Sequence, residues 1–584
     1  MFSAVSMQAL VLFIVLGWTL APLPVRSQVA SRSVCRCFPG EKCWPTSAEW
    51  DLFNKTINGR LVATVPIGST CHDDSFAPYD AEHCRQLQNE WLRPETHYTS
   101  SSSIMAQFFA NMSCDPFTAP SAQCVLGSYV QYAVNATGYD EFHKTLAFAT
   151  KKNIRFVIRN TGHDIFGKST GSGAIALWTH HMKSMEFFEY KSAKYHGKAM
   201  KMGAGVQVEE ALAAAHARGL VIAGGQCQSV GIAGGYTQAG GHSLMSSLIG
   251  LSADQVLEWE VVTATGKHLV ATPYKNDDLY WALSGGGGGT YAAVLSMTVK
   301  AYPDIKVAAG GLEFTMEGVS KETFYSAVQT WLQNLPAFVD AGGSAIWFIG
   351  EGFFSASPIF GPDLTVSELQ SLLSPTLTAL NQSATPYSSH FSQYDTFFSA
   401  YTAVNPPQGV IDGVMGAYLL PRDLVTSERK ASALAGVLHN LTTRTHLIAG
   451  GLSYNVARGR ALSHPHPNSV NPSWETTIQY LAFGLPYNRT NLQANKDAWD
   501  QITNVHAPQL NALVPGGMTS YINEANPFDH DWKRVFYGKS YDKLQEIKDK
   551  YDPNEIFYGR TAVGSDRWME RSDGRLCRDK RYHA

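Results

Sequence analysis

Arg159-Asn160-Thr161-Gly162-His163-Asp164-Ile165 and Gly225-Gln226-Cys227-Gln228-Ser229-Val230-Gly231-Ile232-Ala233-Gly234-Gly235 are the two stretches on which the fold turns. The first leaves directly from a β-like run, Ile154 to Ile158. That run closes a unit in which Tyr129 to Val134 reads as a strand and Tyr139 to Lys151 as an amphipathic helix carrying Phe142, Leu146 and Phe148. Strand, helix, strand in that order predicts a right-handed crossover and a layered α/β lobe. Gly162 lets the turn bring backbone N–H groups close to an anion such as a pyrophosphate, with His163 at its edge. The second stretch runs on to Gly240-Gly241-His242, and glycines at this density predict backbone packed against a flat ligand or against another backbone. On residues alone, His163 reads equally well as a structural histidine, and the glycine loop as a tight turn without a ligand.

Gly162 to Ser169 also satisfies the G-x-x-x-x-G-K-S/T pattern of a phosphate loop. Such a loop must open into a helix whose N-terminal amides meet the phosphates, whereas Thr170-Gly-Ser-Gly173 and the β-like Ile175 to Trp178 follow here. The nucleotide-hydrolase reading is therefore the minor one.

Working outward, a helix is predicted from Val208 to Arg218 with Gly219 as its stop, and strands at Val256 to Val262 and Ala292 to Lys300 extend the lobe to about residue 305. Strands at Leu312 to Met316 and Ala345 to Ile349 then alternate with helices whose apolar faces carry Phe324, Ala327, Val328, Trp331 and Leu332, or Leu369, Leu372, Leu373 and Leu377. This is an α+β lobe, and its aromatic stripes read as core. The tail returns to a compact pattern with Tyr521-Ile-Asn-Glu, a helix carrying Tyr541, Leu544 and Ile547, and Tyr551-Asp-Pro.

The chain has 584 residues, 46 Lys+Arg against 49 Asp+Glu and 44% apolar residues. That balance excludes a disordered chain, a collagen-like one and a dedicated nucleic-acid binder. An apolar run from Met7 to Pro22, too short to span a bilayer, predicts a secretory signal over residues 1–27 despite the absence of a basic residue before it. Sequons at Asn54, Asn111, Asn135, Asn381, Asn440 and Asn488 are the expected N-glycan acceptors of an extracellular protein. Of nine cysteines, seven crowd into the first 124 residues, which suggests a disulfide-tied N-terminal extension over 28–119, rich in Pro, Ser and Trp. An odd count leaves one thiol to explain, and Cys227 stands apart inside the glycine-rich stretch.

These motifs, with Asp278-Leu-Tyr-Trp-Ala-Leu-Ser-Gly-Gly-Gly, Tyr521-x-Asn523 and Tyr541-x-x-Leu-x-x-Ile-Lys-x-x-Tyr-Asp-Pro553, resemble the berberine-bridge-enzyme-like branch of the vanillyl-alcohol-oxidase flavoproteins over roughly 120–305 and 515–560. The resemblance implies an α+β protein. A two-subdomain FAD-binding lobe of the PCMH type spans 120–305, a substrate cap with an antiparallel sheet spans 306–505, and a C-terminal segment over 506–584 returns to the FAD lobe. It implies FAD bonded to His163 and Cys227, which leaves Cys35, Cys37, Cys43, Cys71, Cys84, Cys114, Cys124 and Cys577 for disulfides whose pairing stays open. It places further cofactor contacts at Arg159, Asn160, Thr161, Gly162, Asp164, Ile165, Val230, Gly231, Gly234, Gly235, Gly240, Gly241, His242, Gly250, Leu251, Val256 and Val261.

The implied activity is oxidation of an alcohol or carbohydrate C–H by a secreted oxidase, with O2 reduced to hydrogen peroxide. Tyr521 is expected as the base with Asn523 as its polar partner, although a phenol is a poor base at neutral pH unless its phenolate is stabilised. Glu524 departs from the aromatic common at that position, and is a second base candidate, a supporting carboxylate or a solvent-facing residue. Tyr454, His464 and His466 lie in the cap, and His464-Pro-His466 reads as a surface loop rather than a metal site. The competing readings are an FAD-linked tailoring enzyme of secondary metabolism and a low-turnover flavin-binding secreted protein. The partners expected are a small-molecule substrate and O2, with no nucleic acid and no stable membrane association.

Overall fold

The computed structural model describes residues 35–73, 76–444 and 447–579; the predicted signal segment lies outside them. The helix Tyr139–Lys151 forms where the sequence places it. The Glu141 carboxylate accepts the N–H of Gly138 at its start (3.1 Å), and Phe142, Leu146 and Ala149 recur on one buried face. The two strands it joins, Tyr132–Asn135 and Arg155–Arg159, are parallel but not adjacent, because Ala174–Trp178 inserts between them and pairs with both. All five residues of that central strand are buried, as expected for a strand covered on both faces.

The fourth strand of this sheet, Leu61–Ala63, comes from the N-terminal extension and pairs antiparallel with Tyr132–Asn135. The extension is thus more regular than its composition suggests, with helices at Ser47–Thr56 and Ala81–Glu90. Disulfides Cys37–Cys43, Cys71–Cys84 and Cys114–Cys124 tie it internally, and Cys35–Cys577 joins it to the tail. Cys227 is the free cysteine among the described residues.

A second, antiparallel sheet takes the order Met185–Lys191, His196–Gly203, Ala292–Lys300, Val256–Thr263, His268–Ala271. The third sheet is also antiparallel, with seven strands between Val307 and Pro486, and the long helices Lys321–Asp340, Val366–Gln382 and Glu428–Arg444 cover it. Phe324, Ala327, Val328, Trp331 and Leu332 are buried in that cap, so the aromatic stripe is core. Parallel and antiparallel sheets in one chain make the fold α+β.

The tail returns to the first lobe through an ion pair. Lys548 Nζ donates to Asp552 (2.5 Å), to the Thr290 carbonyl (2.8 Å) and to the Phe557 carbonyl (2.7 Å), and the two side chains are 2% and 0% exposed. Asp552 also accepts the N–H groups of Ile556 and Phe557 (both 2.9 Å), so the ammonium protons and the carboxylate oxygens all have partners. Removing one partner strands the other charge. Lys548→Met is expected to lower unfolding stability by about 3–5 kcal/mol, read from denaturant unfolding of the flavin-loaded protein. The exposed Lys543→Met is the control and shifts the midpoint by less than about 1 kcal/mol.

Candidate active site

The turn after Arg155–Arg159 is built on Gly162, whose φ of +86° is left-handed and whose missing Cβ would strike the Arg159 guanidinium and the Ser103 carbonyl at about 3.0 Å. Arg159, expected to touch the cofactor, commits one edge of its guanidinium to the extension and leaves Nε and Nη1 buried without a partner. Fully buried, its Nη2 donates to the carbonyls of His97 and Ser100 (both 3.0 Å) and of Ser103, pinning the extension to this turn. Asp164 likewise organises the loop, accepting the N–H groups of Phe166 and Ser169 (both 3.0 Å). No helix follows Ser169; the chain passes through turns into the strand at Ala174, which removes the context a nucleotide-hydrolase loop requires.

His163 stands where the two motif stretches meet. Its Nε2 is 2.7 Å from Ser229 Oγ and 3.8 Å from Cys227 Sγ. Burial pulls the imidazole pKa down to about 4, so the ring is neutral at physiological pH, and the Ser229 bond engages Nε2 while leaving Nδ1 available. Burial pushes the Cys227 thiol up, and the charge of Glu524 adds to the effect, which places that carboxylate within electrostatic reach of the sulfur.

The glycine-rich stretch is held from both sides. Asn160 Nδ2 donates to the Ala204 carbonyl (2.9 Å), and a Cβ at Gly231 would lie 2.0 Å from that nitrogen. A Cβ at Gly288 would meet Gly235 Cα at 2.7 Å, so the two glycine runs pack backbone to backbone. From the cap, Tyr401 donates to the carbonyl of Gln226 (2.9 Å) and Asn405 Nδ2 to the same oxygen (2.8 Å). Gly240 and Gly241 accept the N–H groups of Ala253 and Ser252, which aligns Gly250 and Leu251 beside them. Val256 and Val261, expected as cofactor contacts, are fully buried in the core around the five-stranded sheet. Thr161 is buried, while Ile165 and Val230 pack against the core of the lobe.

His242 forms the second focus. Its Nε2 lies 3.2 Å and 3.3 Å from the two oxygens of Glu524. The ring stacks on Tyr454 (centroids 5.8 Å) and Tyr480 (5.7 Å) and meets Tyr521 edge-on (5.3 Å). Asn523 Nδ2 donates to the Tyr521 hydroxyl and to the Gly235 carbonyl, both at 2.7 Å, which joins this focus to the glycine stretch. Burial raises the Tyr521 phenol further above its ordinary value, and the Glu524 charge opposes the phenolate as well. Burial and Glu524 thus work against Tyr521 as a base, while the hydrogen bonds from Asn523 and the Gly241 backbone work for it.

Sequence reasoning missed Ser229, which orients His163. It also missed Gln238, whose carbonyl accepts the N–H groups of Gly285 and Gly287 (both 2.9 Å), and Tyr480, which donates to the Glu524 carbonyl. Tyr454 joins the stack, His464 is exposed, and His466 is not a surface residue: it is buried, edge-on to Tyr274 (5.6 Å).

The cleft suits a flat ligand with a polar edge. Asn160 Oδ1, Gln238 Oε1 and His242 Nδ1 are buried with no partner, and the Cβ direction of Gly234 points into open space.

Residues 130–272 match the family model for the FAD binding domain and residues 520–564 the model for berberine and berberine-like proteins. The FAD-linked oxidoreductase sor8 of Hypocrea jecorina is 46% identical over 94% of both chains. The chain belongs to the vanillyl-alcohol-oxidase-type, berberine-like FAD-linked oxidoreductases. It is therefore an FAD-linked oxidoreductase. The crystal structure of the VAO-type flavoprotein MtVAO615 from Myceliophthora thermophila superposes with a TM-score of 0.89 at 40% identity, covering 94% of this chain and all of that one. The bifunctional decalin synthase calF of Penicillium decumbens is 39% identical over 93% of this chain and 95% of its own. The glucooligosaccharide oxidase of Acremonium strictum, studied for its 6-S-cysteinyl, 8α-N1-histidyl FAD, shares the fold at 15% identity, with a TM-score of 0.62 over 75% of this chain and 92% of its own.

The buried imidazoles give this oxidoreductase an acid weakness. His97, with Nδ1 2.9 Å from Ser103 Oγ and Nε2 2.7 Å from the Trp91 carbonyl, is held by burial to a pKa of about 4, and His180 to about 3. Both values lie below the ordinary value near 6.5, so the unfolded chain binds more protons as pH falls from about 6.5 toward 4, and stability is lost across that window. Denaturation midpoints measured from pH 7 to pH 4.5 are expected to fall. In His97→Gln the decline is shallower, by up to about 3 kcal/mol at its lower end.

Proposed function

We propose that the enzyme oxidises a CH–OH group of a compact, largely apolar intermediate to the carbonyl, with O2 as the final acceptor and hydrogen peroxide as the second product. The observation that carries the reading is the Glu524–His242 pair, set among Tyr454, Tyr480 and Tyr521 and within electrostatic reach of Cys227. FAD bound in the cleft supplies the two-electron acceptor. Glu524 takes the substrate's hydroxyl proton, and His242, bonded to both carboxylate oxygens, shares it and fixes the carboxylate's orientation. Tyr521 and Asn523, bonded to each other, stand beside that carboxylate, and Asn523 is also bonded to the glycine run. The rings of Tyr454, Tyr480 and Tyr521 bury His242, and the Glu524 side chain, 35% exposed, stays open to substrate.

The same reading makes His163 and Cys227 the attachment points of the flavin. Supporting it are their 3.8 Å separation, the neutral imidazole with Nδ1 available, the thiol left out of every disulfide, and the linkage named for the Acremonium enzyme. The apolar-intermediate reading stands ahead of the carbohydrate one. A relative matching nearly the whole chain is named a decalin synthase, whereas the structures named for oligosaccharides are related at the level of fold. Secretion is supported by four disulfides and by the sequons, of which Asn111, Asn381 and Asn488 are exposed.

Glu524→Gln is expected to lower turnover of an oxidised alcohol by about 10²–10⁴-fold at unchanged flavin content, measured by anaerobic bleaching and peroxide release. Retention of full turnover removes Glu524 from the mechanism. His163→Ala and Cys227→Ala should each keep the yellow colour in an acid-precipitated pellet, and the double variant should lose it to the supernatant. Colour in the pellet of the double variant contradicts the linkage.

A further inference from the structure

A cavity opens beside His163, walled by three separate parts of the chain. The extension contributes Gln107 and Phe108, the FAD lobe His163 and Ile165, and the cap Asp412, Met415, Tyr487 and Trp499. Its wall carries a concentration of unsatisfied polar atoms. Both side-chain atoms of Gln107, the Tyr487 hydroxyl, Trp499 Nε1 and Asp412 Oδ1 are buried without a partner, and Gln107, Tyr487 and Trp499 are 6%, 9% and 6% exposed. An unpaired buried polar group costs about 1–3 kcal/mol, so five on one cavity wall mark a place where a ligand completes the bonding.

We propose that this cavity is a substrate subsite that grips the part of the molecule remote from the reacting carbon, and that it selects a neutral hydroxyl or carbonyl oxygen carried on an apolar skeleton. The inference rests on the alcohol-oxidising reading above and deepens it by naming the substrate class.

Two features fix the chemistry. The unpaired set mixes donors (Gln107 Nε2, Trp499 Nε1) with acceptors (Gln107 Oε1, Asp412 Oδ1) and a hydroxyl that is both, which matches an alcohol or carbonyl group. Arg489 stands behind the wall rather than in it: its Nη2 donates to Asp412 Oδ2 at 2.6 Å and its guanidinium lies 4.4 Å over the Phe117 ring, so the Asp412 carboxylate offsets its charge although Nη1 is buried without a partner. Ile165, Phe108, Met415 and the Trp499 ring supply apolar surface between the polar points.

The extension is therefore part of substrate recognition. Its wall segment is positioned by the Met105 N–H, which donates to the Gly162 carbonyl (3.0 Å), and by the Arg159 bonds just before it. Phe108 packs edge-on against Trp499 at 6.0 Å, closing extension onto cap.

The test measures binding rather than turnover. Calorimetric titration of the flavin-loaded enzyme uses three probes that share one hydroxymethyl cyclohexane frame: 1,4-cyclohexanedimethanol, cyclohexanemethanol and 4-(hydroxymethyl)cyclohexanecarboxylate. The diol is expected to bind about tenfold more tightly than the mono-alcohol, and the carboxylate most weakly. Gln107→Leu and the conservative Tyr487→Phe should each raise the Kd of the diol about tenfold and leave that of the mono-alcohol unchanged. A diol that does not bind, an equal Kd for diol and mono-alcohol, tightest binding of the carboxylate, or a diol Kd indifferent to both substitutions overturns the subsite. In Glu524→Gln the diol should still bind more tightly than the mono-alcohol, because the contacts at Gln107 and Tyr487 are untouched. Lost turnover with intact binding there, together with a flavin-loaded wild type that bleaches normally, supports both readings. A wild type that binds the diol as expected but oxidises no alcohol faults the reaction while sparing the subsite.

Discussion

The buried guanidinium of Arg159 holds the site together. It ends a strand of the first sheet, and its Nη2 gathers the carbonyls of His97, Ser100 and Ser103 at the start of the turn that presents His163. Burial draws its pKa down to about 9, so the group remains charged at neutral pH and its bonds are charge-assisted in a water-poor setting. One side chain thereby couples the placement of His163 to the placement of the N-terminal extension. Displacing the extension would leave the charge buried with its acceptors gone, so the contact is difficult to loosen by degrees.

A second constraint acts from the opposite side. The tail reaches back through the saturated Lys548–Asp552 pair and the Cys35–Cys577 bond, and in doing so it carries Tyr521, Asn523 and Glu524 to the glycine run that holds Cys227. His242 is gripped between aromatic rings of the cap and the carboxylate of the tail. Cys227, His242 and Glu524 thus sit on a seam between lobes, where each lobe supplies rigidity that a loop alone lacks.

Much of this was legible in the chain. Periodicity placed the helix Tyr139–Lys151 and the face of Lys321–Asp340, because an amphipathic stripe has no other way to bury itself. The pairing of Arg159–Asp164 with Gly225–Gly235 carried the cofactor class through its resemblance to the berberine-bridge-like flavoproteins. The insertion of Ala174–Trp178 between two strands consecutive in sequence was not legible, because strand order depends on long-range pairing that no local pattern encodes. Arg159 is the instructive case. Its motif position suggested a cofactor contact, and only the carbonyls arriving from some sixty residues upstream reveal its work as an anchor.

The sequence by itself determined the glycine-dense stretches, the odd cysteine and the presence of a carboxylate at position 524, because each of these is a property of residue type and local spacing, and its resemblance to the berberine-bridge-like flavoproteins carried the α+β class and FAD. Tertiary structure alone decided that Glu524 meets His242, that Tyr521 is buried with its phenol pushed up, and that Gln107, Asp412, Tyr487 and Trp499 share one cavity. Burial, electrostatic reach and hydrogen-bond satisfaction are sums over neighbours brought together from distant parts of the chain, and those neighbours exist only once it has folded.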